Sequence, residues 1–270
     1  MLAYHNDPKI KAYYLERVRA HRLADELRHG VYWHAGKGCA VGCTIHGSDH
    51  AAYEKELGIP TLLARLEDGI FESLPSPEDL AWPEEFLDAV PVGATLSMVW
   101  PQFAFLLLSD QQHGVLRYVQ EKKHVKKKNA IEKIIIYYQQ WVDSGIKPAA
   151  AYAAADAAAA AAYAAAAADA AAYADAYTAA AAYAAAATAA YAAYAADAAD
   201  AADAYTAIAY TSSAASAAAD AYASTDGGAA SAAADAADAA RIKRGARVWQ
   251  AQTLLQLLRD APVSDEKETL

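Results

Sequence analysis

Apolar residues in the first 148 positions recur at the three-to-four-residue spacing of helices, and turn residues separate the resulting blocks. Asp7-Pro8 offers an N-cap with proline in the first turn, and Ile10, Tyr14, Val18, Leu23 and Leu27 line one face of a helix that the pattern carries to Gly30. Ser48 opens a short segment ending at Gly58. Pro60 opens a helix bearing Leu62, Leu63, Leu66, Ile70 and Phe71, and Ser76-Pro77-Glu78-Asp79 repeats the cap signature. A longer helix is predicted over 112–142, with Val115, Tyr118, Val119, Ile131, Ile134, Ile135, Tyr138 and Trp141 inward, closed by Gly145 and Pro148. Strand character is confined to Val31-Tyr32-Trp33, so the predicted fold class is all-α.

Residues 90–109 carry no charge and are long enough to raise the question of a membrane span. Pro91, Gly93, Ser97, Pro101 and Gln102 divide the run, which therefore predicts two short buried helices and no membrane segment.

Beyond residue 148 the pattern changes. Of the 92 residues at 149–240, 59 are Ala and ten each are Tyr and Asp; Lys, Arg, Leu, Val, Phe and Trp are absent. Alanine is the best helix former and no Gly or Pro lies between Pro148 and Gly227, which predicts helix. A single unsupported helix of that length would be on the order of 115 Å long, so folding back into a bundle is expected, with turns at Tyr210-Thr211-Ser212-Ser213 and Ser224-Thr225-Asp226-Gly227-Gly228. The pentapeptide Ala174-Asp175-Ala176-Tyr177-Thr178 recurs at 202–206, an irregular internal repeat. The expected organisation is thus a helical domain over 1–148, the Ala-rich helical segment over 149–240, a basic amphipathic helix over 241–258 and a flexible tail over 259–270.

Charge sharpens this division. The ten Asp of the tract equal the whole net charge of -10, and all 23 basic residues lie outside it. A chain this acidic is not built to hold nucleic acid. The run Lys122-Lys123-His124-Val125-Lys126-Lys127-Lys128 has no interleaved aromatic and reads as a solvated helix face. Two cysteines give no disulfide framework and residues 1–11 have no apolar export core, which predicts a reduced, cytoplasmic setting.

One stretch concentrates chemistry. Residues 34–50 hold both cysteines, Cys39 and Cys43, with His34, His46 and His50. Thiolate and imidazole are the ligands tetrahedral zinc prefers, and Cys39, Cys43, His46 and His50 would share one face if the stretch were helical, which makes zinc the expected cofactor if any is bound. Alternatively, Cys43 is a nucleophile activated by His46, His50 or Lys37. A third reading is simple packing of two small thiols at a sharp turn. Nucleotide motifs fail: Gly30 to Gly36-Lys37 is one residue too long for a phosphate loop, and Gly38 stands where Ser or Thr would hold magnesium.

Gly36-Lys37-Gly38-Cys39-Ala40-Val41-Gly42-Cys43-Thr44, the segment Tyr53 to Pro60, Leu63-Ala64-Arg65-Leu66-Glu67-Asp68 and Ile70-Phe71-Glu72 together resemble an uncharacterised family of bacterial and phage proteins with Ala-rich C-terminal halves. The resemblance implies a bacterial or phage setting and transfers no activity. The expected function is structural or interaction-based, through self-association or a protein partner docking on the Ala-rich helices. The alternative is a zinc-binding or thiol-dependent enzyme centred on residues 34–50. Ice binding is disfavoured because Thr178, Thr188, Thr206 and Thr211 keep no eleven-residue face.

Overall fold

The computed structural model describes residues 1–119, 125–148 and 232–263. They are helical apart from one two-stranded hairpin, so the fold is all-α. Two compact units divide the chain, residues 1–100 with 251–270, and residues 101–250.

In the first unit, α1 (Pro8–Leu23) begins as the cap signature predicts, with Asp7 Oδ1 accepting from the Lys9 N–H at 2.8 Å. It does not reach Gly30. Asp25 takes a left-handed φ of 54°, a conformation Asp tolerates better than most residues, and turns the chain there. Leu23 is consequently exposed while Leu27 returns to the core. Next comes a hairpin of β1 (Trp33–His34) and β2 (Lys37–Gly38), joined through Ala35 and Gly36, both at positive φ as a two-residue primed turn requires. It leads into the short α2 (Ala40–Ile45), whose N-cap is Cys39.

The glycines of this stretch serve close approach. A Cβ on Gly38 or Gly42 would drive into the Tyr32 carbonyl, because the loop before the hairpin lies directly on the start of α2. A backbone bond from Cys39 N–H to Val31 O, 2.6 Å, closes the contact.

A π-type turn at Tyr53–Leu57 precedes α3 (Thr61–Ser73) and α4 (Glu78–Ala89). Leu63, Leu66 and Ile70 follow the predicted apolar stripe and are buried, as are Trp82, Phe86 and Leu87 on α4. Burying each such side chain contributes about 1.5–3 kcal/mol. Polar ends are satisfied in place: Trp82 Nε1–H donates to Glu67 O at 2.9 Å and Tyr4 OH to Leu87 O at 2.6 Å. At the α1–α4 seam, Arg19 and Arg22 pair with Glu84 at 2.6 and 2.7 Å. The C-terminal stretch joins this unit through the Thr95 N–H, which donates to Pro262 O at 2.8 Å; of the flexible tail expected over 259–270, residues 264–270 lie outside the described residues.

The second unit takes α5 (Val99–Ser109) from Pro101 onward. Pro101 does not split the segment into two helices. It lies in the first turn, where its missing N–H has no intrahelical partner to lose. The single helix expected over 112–142 is instead a 3₁₀ turn, Val115–Val119, and α6, Val125–Ser144. Ile131, Ile134 and Tyr138 of α6 are buried as predicted, and Tyr137 joins them. The last helix, α7 (Ala232–Arg259), begins inside the Ala-rich tract and runs through Gly245, so it is longer than the basic helix read from sequence. Residues 149–231, with the folded-back bundle and turns expected there, and Lys122, Lys123 and His124 of the basic run, lie outside the described residues. Among the described residues no helix is long and apolar enough to cross a membrane.

Candidate metal centre

Helix α3 carries Asp68 and Glu72 four residues apart and therefore on one face. The loop before β1 lies beside that face, and the Gly30 N–H donates to both Glu72 carboxylate oxygens at 2.9 Å. Cys39, at the start of α2, supplies the third group. Its Sγ and a carboxylate oxygen from each of Asp68 and Glu72 lie within 4.8 Å of one another. A pocket of about 240 Å³, lined by Gly30, Val31, Tyr32, Asp68 and Glu72, adjoins the two acids.

Burial, and then the Asp68 carboxylate beside it, push the Cys39 thiol well above its ordinary value. Burial likewise raises the Glu72 carboxyl, opposed by the Gly30 N–H and reinforced by Asp68. His50, 2% exposed, sets Nε2 3.4 Å from Asp68 Oδ2 and meets the Tyr32 ring edge-on. Its Nδ1 and Asp68 Oδ1 are both buried without a hydrogen-bond partner, a state that costs free energy. On the far side, His29 Nδ1 is 3.6 Å from Glu72, and its Nε2 is held 2.9 Å from Asp79, which accepts from the Ser76 hydroxyl at 2.8 Å.

The four ligands expected from spacing part in three directions. Cys39 faces the α3 acids. Cys43 is fully buried and turns to the carbonyls of Gly38 (3.4 Å) and Glu26 (3.9 Å). His46 sets its Nε2 2.7 Å from His21 Nε2. His50 meets Asp68. The reason is local: α2 ends at Ile45 and His46 is left-handed at φ 53°, so the helical spacing that would align all four stops before the histidines. Burial pushes the Cys43 thiol up to about 11, and His46, one of its expected activators, has its Nε2 at 2.7 Å from His21 Nε2.

Asp68 and Glu72 were not among the residues singled out by sequence. The available signal was an acid pair at i, i+4, next to the apolar stripe of a helix, with Arg65 one turn before Asp68. A thiolate with two carboxylates is a donor set that zinc accepts, whereas calcium and magnesium prefer all-oxygen sites. Zinc bonds of about 2.0–2.3 Å would require Glu72 to give up part of its hydrogen bonding to the Gly30 N–H. Compared with protein-family models, curated proteins and solved structures, the chain matches none.

Proposed function

We propose that this protein binds a divalent cation of the zinc class through Cys39, Asp68 and Glu72, with His50 orienting Asp68. The observation that carries the reading is the convergence of one sulfur and two carboxylates within 4.8 Å, beside buried polar atoms that have no partner. Binding would convert the protonated Cys39 thiol to thiolate and neutralise the acid pair, so the groups that disfavour one another in the metal-free chain become the source of affinity. Three protein ligands leave a fourth position for water or a small ligand, as in zinc sites that act on substrates, and the adjoining pocket has space for one.

Elemental analysis of untagged protein tests this. The expected result is close to one zinc per chain, lost in Cys39→Ser and Asp68→Asn and kept in Cys43→Ser. Protein that purifies without metal and shows no rise in Tm on adding zinc would sink the reading. Equal zinc loss in the Cys39 and Cys43 variants would return the site to the four-ligand arrangement of residues 34–50.

A second reading rests on composition: a tract of 59 Ala in 92 residues with ten Tyr supports an association role for residues 149–240. Light scattering on the full chain over a wide concentration range checks it, and a strict monomer throughout would count against self-association.

A further inference from the structure

A second cluster stands at the other end of α2, on residues separate from the cysteine and carboxylates above. His21, in the last turn of α1, and His46, just beyond α2, point their Nε2 atoms at one another across 2.7 Å. His21 Nδ1 is 2.6 Å from Glu26 Oε2. A carboxylate only accepts, so this bond places the His21 proton on Nδ1 and makes His21 Nε2 the acceptor of a hydrogen bond from His46 Nε2–H; for a metal ion to take that place, the His46 proton must move to Nδ1 and the two rings must part. Trp33 of the hairpin stacks on the His46 ring at 4.7 Å and 14° and meets His21 edge-on at 5.5 Å. Three elements, α1, the end of α2 and β1, therefore fix two imidazole nitrogens at one point. Arg17, the nearest guanidinium with a charge effect on His46, is occupied: it donates to Thr44 O at 2.8 Å and to Tyr13 OH.

We propose that His21 and His46 form a second, solvent-facing site for an imidazole-preferring divalent transition ion, of the nickel, copper or zinc class, with Glu26 as the positioning carboxylate behind His21. A carboxylate on the remote nitrogen of a ligating histidine is the usual way a protein fixes ring orientation and raises ligand basicity. Its presence here is the feature a chance pair of surface histidines lacks. His46 is exposed, so the remaining coordination positions open to water or to a ligand from solution. The Cys39–Asp68–Glu72 centre offers sulfur and carboxylate; this one offers only nitrogen, which shifts its preference toward nickel and copper.

The test is Ni²⁺ titration of the untagged full chain by calorimetry and tryptophan fluorescence, with Cu²⁺ electron paramagnetic resonance alongside. Wild-type protein is expected to bind one Ni²⁺ at this site. His21→Gln and His46→Gln should each weaken binding at least about tenfold, and Glu26→Gln by about tenfold, the range seen when such a carboxylate is removed. Trp33→Phe should keep the affinity and lose most of the fluorescence change. Cys39→Ser should leave this binding intact, which separates the proposal from the cysteine-carboxylate centre. The copper spectrum of the unmutated chain should show two nitrogen ligands, a reading that stands even if a histidine variant fails to fold. Equal Ni²⁺ affinity in wild type and both folded histidine variants, or a copper spectrum with fewer than two imidazole nitrogens, would overturn it.

Discussion

Two groups of carboxylates in the first unit are treated in opposite ways. At the α1–α4 seam, burial works against the charge of Glu84, yet the hydrogen bond from Arg19 and the charge of Arg22 outweigh it and hold the carboxyl below its ordinary value. On α3, the neighbours of Glu67, Asp68 and Glu72 are of another kind. Glu67 accepts from the Tyr53 hydroxyl at 2.5 Å, and burial pushes its carboxyl well up. Asp68 has an imidazole and a thiol beside it, and Glu72 has a backbone N–H and an imidazole. At the seam, one carboxylate of α4 is paired with two guanidinium groups of α1. On α3, burial raises the Glu67 and Glu72 carboxyls where the paired guanidinium groups lower Glu84, and that contrast, more than the count of acids, is what supports the proposed cation site.

The sharpest way to break the comparison is to detach α2 from the loop that lies on it. Gly42→Val places side-chain carbon in the Tyr32 carbonyl, which backbone cannot yield cheaply. The expected cost is about 3 kcal/mol or more, read as a lowered denaturant midpoint, together with loss of bound zinc. The α1–α4 seam contains none of the affected residues, so helical content should fall only in part. An unchanged midpoint with full zinc content would show that the close approach is not needed.

These residues also show what the sequence could and could not disclose. The start of α1 at Asp7-Pro8, the helix after Pro60 and the core stripe Leu63, Leu66 and Ile70 were legible because each is a local signal, a cap or a period. The end of α1 was not, because a left-handed Asp25 is a tertiary choice that no spacing encodes. Within the site, Cys39 was legible as a reactive residue type in a glycine-rich turn. Its partners were not, because Asp68 and Glu72 reach it only after the chain has folded α3 back beside the hairpin. The histidines were misgrouped for a related reason: spacing measures neighbours along a helix, and α2 is too short to carry His46 and His50 on its face.

A smaller perturbation sharpens the comparison by reversing sign. Glu72→Gln removes one of two like charges at i, i+4, so in the presence of a chelator the variant should match or exceed wild type by a few tenths of a kcal/mol. With zinc added, wild type should gain stability through binding and the variant should gain much less. Thermal unfolding with chelator and with excess zinc reads both arms. A loss that is the same in the two conditions would assign Glu72 a purely structural role through Gly30.

The smallest expected effect belongs to the seam itself, where charge pairing is partly screened by solvent. Glu84 has a lowered carboxyl in the folded chain, so the unfolded chain binds its proton more readily. Stability from this group is therefore present above the ordinary carboxylate range and is lost as pH falls through the lowered folded value. Glu84→Gln should lower Tm by no more than about 2 °C near neutral pH, because Arg19 and Arg22 are 54% and 36% exposed and solvent screens both pairs, and the difference from wild type should shrink to nothing in strong acid. Zinc should leave that difference unchanged, because Glu84 is bonded to α1 and not to the α3 acids. Thermal melts at several pH values, with and without zinc, check it. A Tm difference that grows toward acid would mean that the Glu84 carboxyl is not lowered in the folded chain. A difference that appears only with zinc would mean the seam and the metal centre are one coupled system, and the contrast between them would fail.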